Sequence, residues 1–363
     1  MVSRYERIGR SQQHPRRTVK LDARARYALL VALALGAIGF LGFSFLGKGE
    51  ARPKQGYKAA ARRKAKCDPY RLPGRLIVDR PSYFGTRWEP YDDACQPRSI
   101  VASLNTSRTD ASLAWLRDRT IMILGTRQDR ANLEYFCEHA NGSMETYLPD
   151  NSLTPAIEGS GWANSASFGK DTATAPISCY VERYELLMMA VSHFGLIEEE
   201  QDYTVRGWYP PVAAEDRIAA ILLPLHANLA KRWQRDLKVD LVELGASVWD
   251  ALLPEGDDAG ITERLGAWIN SLQTILIRLA KSFEGSPIVL ARSLPRDDST
   301  SMAIDSAMRY TIDAIHKHIK PAISERIILD ESGALLSGQR AYSPANAVLW
   351  ADVILWELHN KVS

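Results

Sequence analysis

Gly125, Thr126, Arg127, Asp129 and Arg130 stand together in the run ILGTRQDR. Thr120 to Leu124, just before them, is apolar and long enough for a buried strand. Ala131, Leu133, Tyr135 and Phe136, just after, fit a helix better than a strand. Strand, glycine turn and helix start form the entrance to a doubly wound α/β sheet, where ligands sit at the carboxyl ends of the strands. A site is expected here. Arg127 lies near the helix N-terminus, which favours an anionic ligand. The alternative is that Arg127 pairs with Asp129 or another surface acid. Two further stretches could contribute. DLVELGASVWD, Asp240 to Asp250, ends a strand in Trp249 and Asp250, either ligand contacts or a packed Trp with a capping Asp. Arg340-Ala341-Tyr342-Ser343-Pro344 directly precedes the last helix.

Other chemistry-bearing residues are scattered. His193, His226, His316, His318 and His359 have no metal-binding spacing. His316 and His318 fall on an expected helix, where residues two apart do not share a face. Structural or solvated roles are expected for all five. Gly159-Ser160-Gly161 lacks the strand–helix context of a phosphate loop, and no Cys-x-x-Cys pair occurs. No metal and no cofactor are expected. The four cysteines suit two disulfides in an oxidising lumen. Of three pairings, Cys67–Cys95 and Cys137–Cys179 are preferred because each closes a local loop. Four buried thiols are the alternative. Asn105-Thr106-Ser107 and Asn141-Gly142-Ser143 are glycosylation acceptor triplets.

The elements that must hold these residues follow from periodicity. A short helix is expected over 112–117, a strand over 119–124 and a helix over 128–140. Residues 141–177, rich in Ser, Thr, Gly, Asn and Pro, read as a long loop. A strand follows at 178–184, then a short helical or extended piece at 186–194. From there helices (214–236, 261–283, 301–319, 344–360) alternate with strands (240–245, 287–291, 326–329). Pro224 should kink the first of these helices, and Pro344 suits the first turn of the last. Alternation of this kind implies a mostly parallel sheet with helices on both faces and right-handed crossovers. Residues 67–100, with Pro69, Pro73, Trp88, Pro90 and two cysteines, read as a loop-rich, stapled entry segment. No internal repeat is present.

The chain has 363 residues, is 46% hydrophobic and carries a net charge of +2. The near-neutral total conceals a strongly basic stretch over the first 66 residues. It flanks Tyr27 to Leu46, an uncharged apolar run of the length a bilayer core requires. Nucleic-acid binding is therefore not expected. The long leader and the lack of a small-x-small cleavage site favour a retained signal anchor over a cleaved signal peptide. Basic residues on both sides leave orientation undecided by charge. The sequons and cysteines beyond the span place the large C-terminal part in the lumen. The expected organisation is a cytosolic basic tail (1–26), a transmembrane signal anchor (27–46), a basic stem (47–66) and a lumenal α/β domain (67–363).

Taken together, ILGTRQDR, the Trp249-Asp250 block and the segment before Pro344 resemble the SGNH hydrolase superfamily. The resemblance is to its membrane-anchored lumenal branch, related to carbohydrate O-acyl esterases and acetyltransferases, and covers roughly residues 67–360. It implies a three-layer, flavodoxin-like fold. In that branch the first block reads Gly-Asp-Ser; here Gly125 matches, Thr126 replaces the Asp and Arg127 replaces the nucleophilic Ser. Asp129 and Arg130 match the Asp-Arg that follows. In the last block Pro344 matches, while Arg340 and Ser343 replace Asp and His. A guanidinium stays protonated and is no nucleophile, and a serine cannot take a proton at neutral pH as imidazole does. The expectation is a type II membrane glycoprotein of the Golgi or ER lumen, or of the cell surface. It would be a pseudoenzyme that binds carbohydrate or glycoprotein, or assists glycan or cell-surface biogenesis. An active carbohydrate O-acyl esterase or acyltransferase with other catalytic residues is the rival. Oligomeric state is left open.

Overall fold

Thr120–Gly125, the third strand in chain order (β3), is buried at every residue. Met122 and Leu124 enter one core, Ile121 and Ile123 another. A parallel strand covered on both faces has to read as a continuous apolar run, and this one does. It occupies the middle of a seven-stranded sheet in the computed structural model of the chain. The model describes residues 67–104, 110–148, 150–155, 174–196, 213–245, 258–294, 299–335 and 343–362. These belong to the compact unit Lys66–Ser363. The expected transmembrane span, tail and stem lie outside the described residues, among which no helix is long and apolar enough to cross a membrane.

The other strands are Gly74–Ile77 (β1), Arg87–Pro90 (β2), Ser143–Thr146 (β4), Ile177–Val181 (β5), Leu186–Ser192 (β6), Leu241–Gly245 (β7), Ile288–Arg292 (β8) and Ile327–Asp330 (β9). The large sheet runs β4-β5-β6-β3-β7-β8-β9. From β6 to β9 all pairings are parallel, while β4 and β5 add antiparallel. The mostly parallel α/β architecture agrees with the sequence reading.

Helices cover both faces. Ile100–Leu104 (α1), Arg127–His139 (α2) and Pro344–Val362 (α8) share a core with Ile121, Ile123, Met188 and Leu290. The opposite face carries a helix over 214–233 (α3), Asp258–Ser282 (α4) and Ser299–His318 (α5), packed on Met122, Leu124, Val242 and Val289. Pro321–Ser324 (α6) and Ser332–Leu335 (α7) are single turns. The kink expected in α3 takes the form of a π turn over Ile218–Leu222, immediately before Pro224. Proline brings no N–H and its ring crowds the preceding turn, so the ladder slips by one residue there.

Two local expectations need correction, and one left open is decided. The stretch expected as a short helical or extended piece takes the extended form: it is β6, a seven-residue strand beside β3 that is buried throughout. Its run LLMMAVS alternates nothing, and periodicity cannot separate a buried strand from a buried helix. Within the expected 141–177 loop, Ser143–Thr146 forms an edge strand on β5. The entry segment is more ordered than expected, because β1 and β2 pair as a hairpin. Trp88 of that hairpin packs with Tyr70 against Leu349 and Val353 of α8.

Both disulfides join as preferred. Cys67 pairs with Cys95 and Cys137 with Cys179, their Cα atoms 5.7 and 5.6 Å apart. The second ties the end of α2 to β5. A Cβ at Gly142 would meet Cys179 Sγ at 2.7 Å and Cys137 Sγ at 2.8 Å, so the chain can turn past the bridge only as glycine. Two such bridges belong to an oxidising compartment, lumenal or extracellular.

Candidate functional site

Counted along the chain, the five parallel strands run second, first, third, fourth, fifth across the sheet. In that order the crossovers reverse direction between the first and third strands, and the crevice opens at their carboxyl ends. Here those strands are β3 and β7, ending in Gly125 and Gly245. Both glycines are required by close approach. A Cβ on Gly125 would sit 2.7 Å from Asp129 Cβ, and one on Gly245 would sit 2.7 Å from Arg292 Nη2 and 2.9 Å from Asp129 Oδ2.

Those neighbours form a buried polar network. Thr126 is the N-cap of α2: its Oγ1 accepts from Gln128 N–H at 3.2 Å. Asp129 closes a capping box, its Oδ2 accepting from Thr126 N–H at 2.6 Å and from Thr126 Oγ1 at 3.1 Å. Its other oxygen forms an ion pair with Arg292 at the end of β8. Arg292 Nε donates to Glu243 Oε1 at 2.6 Å. Trp350 Nε1, from α8, donates to both Glu243 oxygens at 3.1 and 3.0 Å. Glu243 lies inside β7 and is fully buried. Burial pushes its carboxyl up to about 7; Arg292 opposes that shift, and Asp129 and Asp330 add to it. Burial alone would lower Arg292, but the facing carboxylates outweigh it and hold the guanidinium firmly protonated.

His193 closes the crevice from β6. Its backbone N–H donates to Gly125 O at 2.6 Å, and its Nε2 bonds Gly245 O at 2.9 Å. Gly195 N–H donates to Nδ1 at 3.3 Å, so Nδ1 is the acceptor and Nε2 carries the proton. Burial pulls this imidazole down to about 4, which keeps it neutral. With both nitrogens committed, it braces two strand ends and offers no free lone pair to a hydroxyl.

The expected site residues therefore separate. Gly125, Thr126 and Asp129 are in the crevice floor. Arg130 points away: it pairs with Glu134 at 2.9 Å and donates to Ala175 O at 3.0 Å. Arg127 is exposed on the first turn of α2. The expected alternative of an Arg127–Asp129 pair is incorrect, because Asp129 is buried and turned toward Arg292. Ser343 caps α8, accepting from Asn346 N–H at 3.1 Å. Arg340, Trp249, Asp250 and Asn105 lie outside the described residues. Asn141 is exposed in a left-handed turn after α2, with φ 50°. His226 and His316 bond backbone carbonyls at 2.7 and 2.8 Å, and His359 stacks near Trp115. Among the described residues no group of three His, Cys, Asp or Glu side chains is placed to hold a metal ion.

Sequence reasoning passed over Glu243, Arg292 and Trp350. A usable signal existed. Glu243 is the lone charge within LVELG and Arg292 ends the apolar run IVLAR, and single opposite charges in neighbouring buried strands must find partners. No protein-family model and no curated protein matches this chain.

Proposed function

We propose that the chain is a single-pass type II membrane protein whose lumenal domain, 67–363, is an SGNH-like pseudoenzyme. It binds carbohydrate or glycoprotein in the Golgi or ER lumen or at the cell surface, in support of glycan or cell-surface biogenesis. One observation carries this reading. At the switch point, where a hydrolase would hold its nucleophile and base, the described residues Thr126, Asp129 and Ser343 of the matching motifs serve structure, while the buried hydroxyls of Ser192 and Ser293 at neighbouring strand ends have no partner among the described residues. Thr126 and Asp129 cap α2, Ser343 caps α8, and Arg292 fills the floor between Asp129 and Glu243. Among the described motif residues, Arg127, exposed at the first turn of α2, is placed to meet an anionic portion of a ligand.

The test has two arms. Full-length protein exposed to a serine-directed phosphonate will remain unlabelled, and it will hydrolyse an activated acetyl ester no faster than buffer. Arg127→Ser alone will not create that activity, since general-base assistance is commonly worth about two to four orders of magnitude. The triple change Arg127→Ser, Arg340→Asp, Ser343→His is the variant that restores both groups. Labelling of a specific serine in the unaltered protein rejects the reading in favour of an active acyl esterase or acyltransferase. A glycan array probed with the same protein identifies the ligand class, and Arg127→Ala will weaken binding to acidic glycans.

The membrane topology is tested separately. Glycosidase treatment will shift the gel mobility of the membrane-bound protein, as exposed Asn141 in its acceptor triplet leads one to expect. Protease protection that puts residues 67–363 on the cytosolic face would reject the type II assignment.

A further inference from the structure

Helix α8 is buried along one continuous stretch, from Ala345 to Leu355. It nonetheless carries carboxyl groups into the packing. Asp352 is 1% exposed. It accepts Val101 N–H at 2.8 Å, with Ser99 and the Ile100 N–H also beside it, and the titratable group facing it is Tyr70. No cation is among these neighbours. Glu357, further along the helix and only partly exposed, faces Asp68, Asp330 and Arg71. Arg71 is already paired with Asp68 at 3.0 Å. Under the helix, Glu243 accepts from α8's own Trp350 and faces Arg292, Asp129 and Asp330. Arg292 is divided between Asp129 and Glu243. The interface thus buries more carboxyls than it has cations to match.

A buried carboxylate without a cation of its own is costly, and the usual escape is to take a proton. We propose that α8 is a proton-coupled latch, docked when Asp352 and Glu357 are protonated and loosened as they ionise. The packing of α8 against α1 and the entry segment is then firmest in acid. Burial raises Asp352 and Glu357 each to about 7, against the hydrogen bonds from Val101, Ser99 and Ile100 that favour ionised Asp352 and the Arg71 charge that favours ionised Glu357. The sign follows from linkage. Groups raised in the folded state stabilise it fully below their unfolded values of about 4. That contribution is lost as pH rises through their folded values near 7.

Hydrogen exchange on the full-length protein in detergent tests it, with rates corrected for the intrinsic pH dependence of exchange. Between pH 5.5 and 7.5, protection of peptides from 344–362 will fall by about tenfold or more relative to peptides from 120–125. Asp352→Asn keeps an acceptor for Val101 and removes the charge, so it will flatten this dependence near the acid level. Glu357→Gln, at a partly exposed position where folding is safe, will flatten it in part. Protection of α8 that is unchanged with pH in the unaltered protein overturns the proposal. So does a pH dependence that survives both substitutions undiminished.

Discussion

Arg292→Met will lower the stability of the domain by about 3–5 kcal/mol, the usual consequence of removing one partner from a buried ion pair. Arg292 is the cation between Asp129 and Glu243, and both carboxyls are almost wholly buried. Methionine fills much of the volume but leaves two acids facing each other across the crevice. The loss therefore comes from stranded charge more than from packing. Three consequences separate these causes. Acidification will recover part of the lost stability, because protonating either carboxyl relieves the repulsion. Glu243→Gln on the Arg292→Met background will cost less than the sum of the two single changes, since the pair acts as a unit. Arg292→Lys will be intermediate, because an ammonium lacks the planar fork that reaches two carboxylates at once. Urea unfolding of the protein, followed by tryptophan fluorescence, measures all four. A loss below about 1 kcal/mol for Arg292→Met would mean that the network is a surface-like, solvent-screened one and does not hold the crevice shut.

Removal of the Cys137–Cys179 bridge by paired alanines will cost about 4 kcal/mol on the chain-entropy model, given a sequence separation of 42. The Cys67–Cys95 pair, at a separation of 28, will cost slightly less, about 3.5 kcal/mol. The first bridge has the larger structural reach. It joins α2, whose N-terminus forms the crevice, to β5, which extends the sheet beyond β6. Its loss will loosen β4 as well, because Ser143 to Thr146 is an edge strand whose ladder partner among the described strands is β5. The comparison uses the two double-alanine variants and the parent protein under oxidising and reducing conditions. Reductant will lower the midpoint of the parent toward that of the variants and leave a variant lacking both bridges unchanged. Equal stability of the parent with and without reductant, once thiol release has been verified, would contradict the expected contribution.

Local signals in the chain determined much of the architecture. The apolar run before Gly125 is a central parallel strand, and the helices after it repeat at the spacing read from Leu, Ile and Trp positions. Thr126 and Asp129 sit at N-cap and N3, a pattern written in consecutive residues. The disulfides followed from loop closure, because nearby cysteines cost less entropy to join. Each of these rests on interactions between residues close in sequence, and so it is visible in a window of the chain. Tertiary structure alone decided the rest. β6 and β4 depend on pairing with partners that periodicity cannot identify. Asp129 and Arg292 are 163 positions apart, and Glu243 and Trp350 are 107 apart. Nothing local says that these four side chains meet, or that Arg127, two residues from Asp129, remains in solvent. Burial made the difference: in water each charge could be satisfied alone, whereas among the buried central strands the fold is stable only when they satisfy one another.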